Sequence, residues 1–295
     1  MKYFVMITTK RSDAYTDHAL RSFFATTRLD PEDRFILIDN DHSFENYRLT
    51  QAKQVELQSN SAPLGFAENV NQVLRLSSAA KADLFILNND MIFSRDWIVP
   101  LLCQEPFIIA PLSNREVRYD TDFFSTQISM DLAQYVGHEA AFDKLVQAHR
   151  FKFNGYLGVL VLPFFCVKIP WVIQNRLGCL DPAFGQGGGE DYDYCLRAYL
   201  AGYEIKYAMQ SYLLHFGAKS FSLGGEDKAA QAERELKFAS VFLEKWGERL
   251  THLVFSNDTD PFTSDKDLQA LAEQKHFHEI VNRLKPGSGP LVRVN

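Results

Sequence analysis

The feature that most restricts the fold of this chain is a rhythm in its first hundred residues. Short apolar, β-rich runs alternate with longer segments of helical period. Residues 3–8, 35–39, 54–58, 84–87 and 107–110 read as strands, and residues 13–26 and 66–79 read as helices. Strand and helix in alternation require a mostly parallel sheet with helices on both faces, because each parallel strand needs a crossover to return to the same edge. The chain is therefore predicted to be an α/β protein. In such sheets ligands bind beyond the carboxyl ends of the strands, so the residues just after each strand are the first candidates for a site.

The rhythm stops at residues 113–153, which are polar and mixed, with helical spacing around residues 138–148. An insertion of this size is expected to carry specificity. Residues 203–207 and 212–215 read as two late strands, and residues 229–246 as a helix. The segment from Pro286, Pro-Gly-Ser-Gly-Pro, reads as a flexible tail. These readings give a main α/β domain over 1–225 and a C-terminal helical appendage over 226–295.

Composition removes several functions. The chain has 295 residues, 46% of them hydrophobic, enough for a large core. A net charge of −6 without a basic stripe argues against nucleic acid as a partner. Cys103, Cys166, Cys179 and Cys195 lack the C-x-x-C spacing of zinc or redox sites and read as free thiols of a reducing compartment. The N-terminus has no signal-peptide pattern. Residues 156–173 are strongly apolar, but Lys168, Pro163 and Pro170 favour a buried strand feeding a short helix over a membrane span. The expectation is a cytoplasmic protein without a transmembrane segment, with peripheral association at the inner face of a membrane left open.

Three polar groups stand at predicted strand ends or helix starts. The first is Asp39-Asn40-Asp41-His42-Ser43 and the second is Asn88-Asn89-Asp90. Each alone is an ordinary turn. The third, Gly185-Gln186-Gly187-Gly188-Gly189-Glu190-Asp191, leads into a helix. Its acids complement the helix dipole, but three consecutive glycines exceed what a cap requires and suggest a backbone that approaches a ligand or moves. Asp193 and Arg197, spaced i, i+4, are predicted to form a structural ion pair. His215 follows a late strand. His276, His278 and Glu279 read as a solvated helix face.

In this order the groups resemble the family 2 glycosyltransferases of the GT-A fold, over residues 3–221. Residues 35–43 are similar to the family's second strand with its nucleotide-contacting aspartate. Residues 60–71, with Pro63, Gly65, Phe66 and Asn69, are similar to the stretch after the third strand. Asn88-Asn89-Asp90 resembles the metal-binding Asp-x-Asp motif, with Asn in place of the first Asp, a variant similar to rhamnosyltransferase-like members. Residues 178–184 and 189–203 resemble the Gly-Gly-Phe-Asp and Glu-Asp-x-Asp segments. No Gln-x-x-Arg-Trp follows, which speaks for transfer of a single sugar and not processive synthesis.

The resemblance implies inverting transfer of a hexose or deoxyhexose from a nucleoside-diphosphate sugar, UDP- or dTDP-linked, to a hydroxyl of a glycan, lipid-linked glycan or protein. Surface polysaccharide or glycoconjugate synthesis is the implied setting. Asp191 would be the general base, with Glu190 positioning it or holding the acceptor. Asp90 and His215 would bind Mn²⁺ or Mg²⁺, a hard cation suited to carboxylate and phosphate oxygens. Asp39 would accept from the base ring N–H, while Thr8, Asn69 and Asn88 complete the nucleotide pocket. Two rivals stay open: a non-catalytic nucleotide-sugar or carbohydrate binding module, and a sugar-1-phosphate nucleotidyltransferase. The latter would want glycines beside Thr8-Thr9-Lys10-Arg11.

Overall fold

The computed structural model describes residues 1–9, 11–44, 54–115, 130–217, 226–255 and 265–286. Its first half follows the predicted rhythm: β1 (Lys2–Thr8), α1 (Asp13–Thr26), β2 (Arg34–Asp39), β3 (Val55–Ser59), α2 (Phe66–Ala79) and β4 (Asp83–Leu87). These four strands lie side by side in the order β3-β2-β1-β4, all parallel.

Side chains alternate across the sheet with the strand period of two. Val5, Ile36, Ile38, Leu84 and Ile86 face α2, where Val70, Val73 and Leu74 meet them. Phe4, Met6, Phe35, Leu37 and Phe85 face α1 and pack on Leu20 and Phe23. Ring centroids lie 4.8 Å apart for Phe4–Phe85 and for Phe23–Phe35. Burying each such side chain contributes about 1.5–3 kcal/mol, and each aromatic pair about 0.5–1.5 kcal/mol more. Both helices have the predicted bounds, because their apolar faces repeat at helical period against these two surfaces.

The second half is β5 (Met91–Ile92), β6 (Ile108–Ser113), α3 (Leu132–Tyr135), α4 (Glu139–Lys152), β7 (Tyr156–Gly158), β8 (Cys166–Ile169), α5 (Trp171–Leu177), α6 (Glu190–Leu200), β9 (Ile205–His215), α7 (Lys228–Phe255), α8 (Lys266–Glu273) and α9 (Phe277–Leu284). Among the described residues the sheet runs β3-β2-β1-β4-β8-β6-β9-β5, with β7 also on β9. Here β8 is antiparallel to both β4 and β6, while β6 and β9 are parallel. The apolar run 156–173 thus supplies two strands, one of them at the centre of the sheet, and the start of α5. No described helix is long and apolar enough to cross a membrane.

Residues 203–215 were expected to form two strands but form one, β9. The expected gap at 208–211 is a register slip. Pro111 pairs with Ala208, yet the next residue, Leu112, pairs with Tyr212. Pro111 has no N–H to give the ladder, and the slip is absorbed on β9. The fifth strand starts at Ile108 and runs to Ser113, longer than the 107–110 expected. From the insertion, α4 docks on β9, and His149 donates from Nε2 to the Met209 carbonyl at 2.8 Å. Residues 116–129 and the tail from 287 lie outside the described residues. All four cysteines are free, Cys166 and Cys195 buried and the other two partly so.

The helix predicted over 229–246 extends to Phe255, with a break at Gly247, whose φ of 75° is left-handed. It packs on the glycine run and α6. Trp246 Nε1 donates to Asp193 Oδ1 at 2.9 Å, and Lys245 Nζ lies 2.8 Å from the same oxygen. Asp193 Oδ2 makes the predicted ion pair with Arg197, at 2.9 Å.

Candidate active site

The parallel register puts Thr8 beside Asp39, and Met6 beside Leu87, so β1, β2 and β4 end at one edge. Beyond that edge lies a cavity of about 520 Å³. It is walled by the turns after these strands, by residues 163–165 before β8, by the glycine run and by α7 through Arg234. Asp90, His215, Glu190 and Asp191 all line it, as do Asn88 and Asn69. The two groups of chemically active side chains therefore face one shared space.

On one side, β5 pairs with the end of β9 so that Met91 is opposite His215. This brings His215 Nε2 to 3.1 Å from Asp90 Oδ1, and both residues are about 95% buried. Asn88 Nδ2 lies 3.4 Å from the same imidazole nitrogen. Phe165 stacks on the imidazole with centroids 5.2 Å apart and planes 16° apart, and Asn114 accepts from the His215 backbone N–H at 2.7 Å. Ring and backbone are thus fixed from two directions. A carboxylate and an imidazole this close can share one divalent ion. Among the described residues no group of three or more His, Cys, Asp or Glu side chains could hold a metal. An ion here would take its remaining oxygens from a ligand or water, which suits an ion that bridges protein and phosphate.

On the other side, α6 opens with Glu190 and Asp191. Gly189 caps it in the left-handed region at φ 88°, and the acids of the first turn complement the helix dipole. The Asp191 carboxylate accepts from the Phe164 N–H at 3.2 Å and the Tyr192 N–H at 2.8 Å. Glu190 accepts from the Gly188 N–H at 2.7 Å and is almost wholly buried. Burial, followed by the adjacent Asp191 charge, raises the Glu190 pKa to about 8, while backbone N–H donors and Arg234 oppose the rise. The rise favours the neutral form of one acid of the pair, in which it can donate a hydrogen bond.

The glycine run is a close fit against α7. Gly188 has φ 124°, and a Cβ there would meet the Phe238 ring at 2.5 Å. Gly65, at the start of α2, approaches the Gly185 carbonyl too closely for any side chain, and Gln186 O accepts from the Phe66 N–H at 3.2 Å. These glycines serve close packing of backbone on both sides.

Two expected nucleotide contacts do not reach the wall. Thr8 is fully buried, its hydroxyl 3.0 Å from Thr16 Oγ1 in a network with Ser12 and Asn89. Asp39 is also fully buried, and its two oxygens accept from the Ser43 and Phe44 N–H groups at 3.0 and 2.8 Å. Their neighbours Thr9, Asn40 and Asp41 line the cavity instead. The Thr9 hydroxyl is buried without a hydrogen-bond partner among the described residues. Asn69 lines the cavity, but its amide donates to Asn40 Oδ1, Leu64 O and Gly65 O, and its carbonyl accepts from Asn60.

Arg234 was not foreseen. It sits on α7, far along the chain from the strand ends, in a helix whose charges are interleaved with apolar residues. Its guanidinium is held by Glu226 at 2.7 Å and donates to the Gly187 carbonyl at 3.2 Å. The only sequence signal was its helical phase with Phe238 and Val241, the face that packs on the core.

No protein-family model matches the chain, and no curated protein matches it in sequence. Solved structures match it in fold. GalNAc-T7 with UDP, GalNAc and Mn²⁺ superposes with a TM-score of 0.58 at 13% identity, over 96% of this chain and 55% of that one. The chain thus spans about half the length of that protein. The mannosyltransferase PcManGT from Pyrobaculum calidifontis, in complex with GDP-Man and Mn²⁺, gives 0.55 at 12% identity over 92% of this chain and 75% of that one. S. aureus TarS 1–349 gives 0.51 at 12% identity, over 97% and 81%. At such identities the likeness establishes the fold: a mixed α/β sheet of the GT-A glycosyltransferase type.

Proposed function

We propose that the chain is a metal-assisted, inverting glycosyltransferase that moves one sugar from a nucleoside-diphosphate donor to an acceptor hydroxyl. One observation carries this reading: Asp90 with His215, and Glu190 with Asp191, line the same cavity at the strand ends. A nucleotide sugar spans such a space with its diphosphate toward the first pair and its anomeric carbon toward the second. The matching structures named for UDP or GDP-Man together with Mn²⁺ support a donor and an ion of this class.

In the proposed reaction Asp191 takes the proton of the acceptor hydroxyl. The oxygen attacks the anomeric carbon from the face opposite the phosphate, and the carbon–phosphate-oxygen bond breaks, its electron pair leaving with the nucleoside diphosphate. Glu190, neutral, donates to acceptor or sugar and keeps a second negative charge out of the site. Arg234 faces the departing diphosphate as a charge-assisted donor. A divalent ion held by Asp90 and His215 would act as Lewis acid and template for the diphosphate. Asp41 on the wall accepts from the base ring N–H of uracil or thymine, with Asn88 beside the diphosphate. Asp39 and Thr8 hold the turns behind that wall. Family 2 membership, a rhamnosyl-type donor and a role in surface glycan synthesis belong to the same proposal.

A thermal-shift panel of UDP-, dTDP- and GDP-sugars with and without Mn²⁺ tests it. A donor at about 100 times its Kd should stabilise the fold by roughly 2.7 kcal/mol. Protection without release of nucleoside diphosphate on adding acceptors would favour a binding module. No protection by any donor would end the proposal.

A further inference from the structure

The two faces of α7 differ. One packs on the molecule through Phe238, Phe242 and Trp246, with Arg234 reaching the cavity. The other carries Ala229, Ala232, Leu236, Ala239 and Leu243, spaced three and four residues apart, the interval at which helices pack on one another. Of these Leu236 is 73% exposed and Leu243 47%, among the largest exposures of any apolar side chain described. The ridge at four-residue spacing is Lys228, Ala232, Leu236, Ser240 and Glu244. Small residues flank the central leucine and let a second helix approach closely.

The ends of this ridge carry opposite charges at equal distances from Leu236. If two copies of α7 pack antiparallel about a two-fold axis through Leu236, each Leu236 meets its counterpart. Ala232 then meets Ser240 of the second copy, Ala229 meets its Leu243, and Lys228 meets its Glu244. A parallel arrangement would oppose Lys228 to Lys228 and Glu244 to Glu244. Flanking acids Glu233 and Glu235 make an anionic membrane surface a poor occupant for the stripe.

We infer that the outer face of α7 is a self-association surface, through which two copies of this chain pair antiparallel about Leu236. The surface is self-complementary, as an interface on a two-fold axis must be. It lies on the back of the helix that holds Arg234 and presses Phe238 on Gly188, so pairing would stiffen the wall of the cavity from behind.

Sedimentation of the full chain tests this. A single helix pair is a small interface, so the average mass should climb from one chain toward two over about 1–100 µM. Leu236→Glu, which sets like charges face to face, should raise the dissociation constant at least about tenfold with unchanged circular dichroism. Lys228→Glu should weaken pairing, and Lys228→Glu with Glu244→Lys should restore it. Leu236→Cys should give an oxidised dimer whose cross-link joins position 236 to itself. A chain that stays monomeric up to about 500 µM overturns the inference. So does a dimer that Leu236→Glu leaves intact, or one that the charge swap fails to rescue.

Discussion

The two walls of the cavity are built by different physics. Behind the lining from the first half, Asn40, Asn60 and Asn69 form a neutral polar lattice, of which Asn40 and Asn69 reach the cavity. Asn60 Nδ2 donates to Asn40 Oδ1 at 2.8 Å and to Asn69 Oδ1 at 2.7 Å, and Asn40 Oδ1 also accepts the Leu64 N–H at 2.9 Å. The rest of the lining carries charge in low-dielectric surroundings: Asp90 against His215 on one side, Glu190 beside Asp191 with Arg234 on the other. The lattice satisfies its own hydrogen bonds and so gives shape. The charged wall is costly to bury, and its groups gain most when a ligand supplies opposite charge. The contrast separates residues that hold the site from residues that act in it, and it predicts different signatures for their loss.

The largest effect should come from the charged wall. Asp191→Asn is expected to lower kcat by about 10²–10⁴ while donor affinity, read by calorimetry, stays within a few fold. An unchanged rate would move the base elsewhere. Next, Asp90→Ala should abolish the coupling between Mn²⁺ and donor binding. If the ion still strengthens donor binding equally in the variant, the Asp90–His215 pair is not its seat. Arg234→Met should weaken nucleoside-diphosphate binding by about ten- to a hundredfold, a loss of charge-assisted hydrogen bonds. The neutral wall should behave differently: Asn60→Ala leaves buried partners unsatisfied, costing about 1–3 kcal/mol and lowering Tm by several degrees. Its kcat should change little. A large kcat loss there, with Tm intact, would break the contrast.

A separate signature lies in pH dependence. Burial and the adjacent Asp191 raise the Glu190 pKa in the folded chain from 4.5 to about 8. The folded state thus binds more protons between these values, and this residue's contribution to stability falls as pH rises through that window. Glu190→Gln should flatten the decline and be without effect below about pH 4. A variant whose stability curve parallels the parent across pH 5–8 would show that Glu190 is ionised in the fold.

Much of this was legible. The parallel half was readable because β1, β2 and β4 are uninterrupted apolar runs and α1 and α2 carry full amphipathic periods. The acids at 190 and 191 were readable because the glycines before them are too many for a cap. What sequence alone could not resolve was side-chain direction at a strand end. Thr8 and Thr9 are chemically alike, yet one turns into the α1 network and the other toward the cavity, and the same holds for Asp39 and Asp41. For the threonines the choice depends on pleat phase, which a one-residue shift inverts; the two aspartates are separated by the turn after β2, in which the Ser43 and Phe44 N–H groups draw Asp39 inward. Arg234 escaped for a further reason: the residues it meets lie far from it in the chain, so no local spacing announces it. The interval between 207 and 212 looked like a loop because Gln210 and Ser211 break an apolar run. In the folded chain they are the slip within β9.

That slip fixes more than the shape of one strand. It adds three residues to β9 relative to β6, and an odd number exchanges the inward and outward parity of everything downstream. His215 owes its orientation toward Asp90 to this count. Losing or gaining one residue among 209–211 would rotate the imidazole to the far side of the sheet with every candidate site residue still present in the sequence. A three-residue stretch without chemistry of its own thus acts as the key that brings the histidine ending the strand into phase with Asp90.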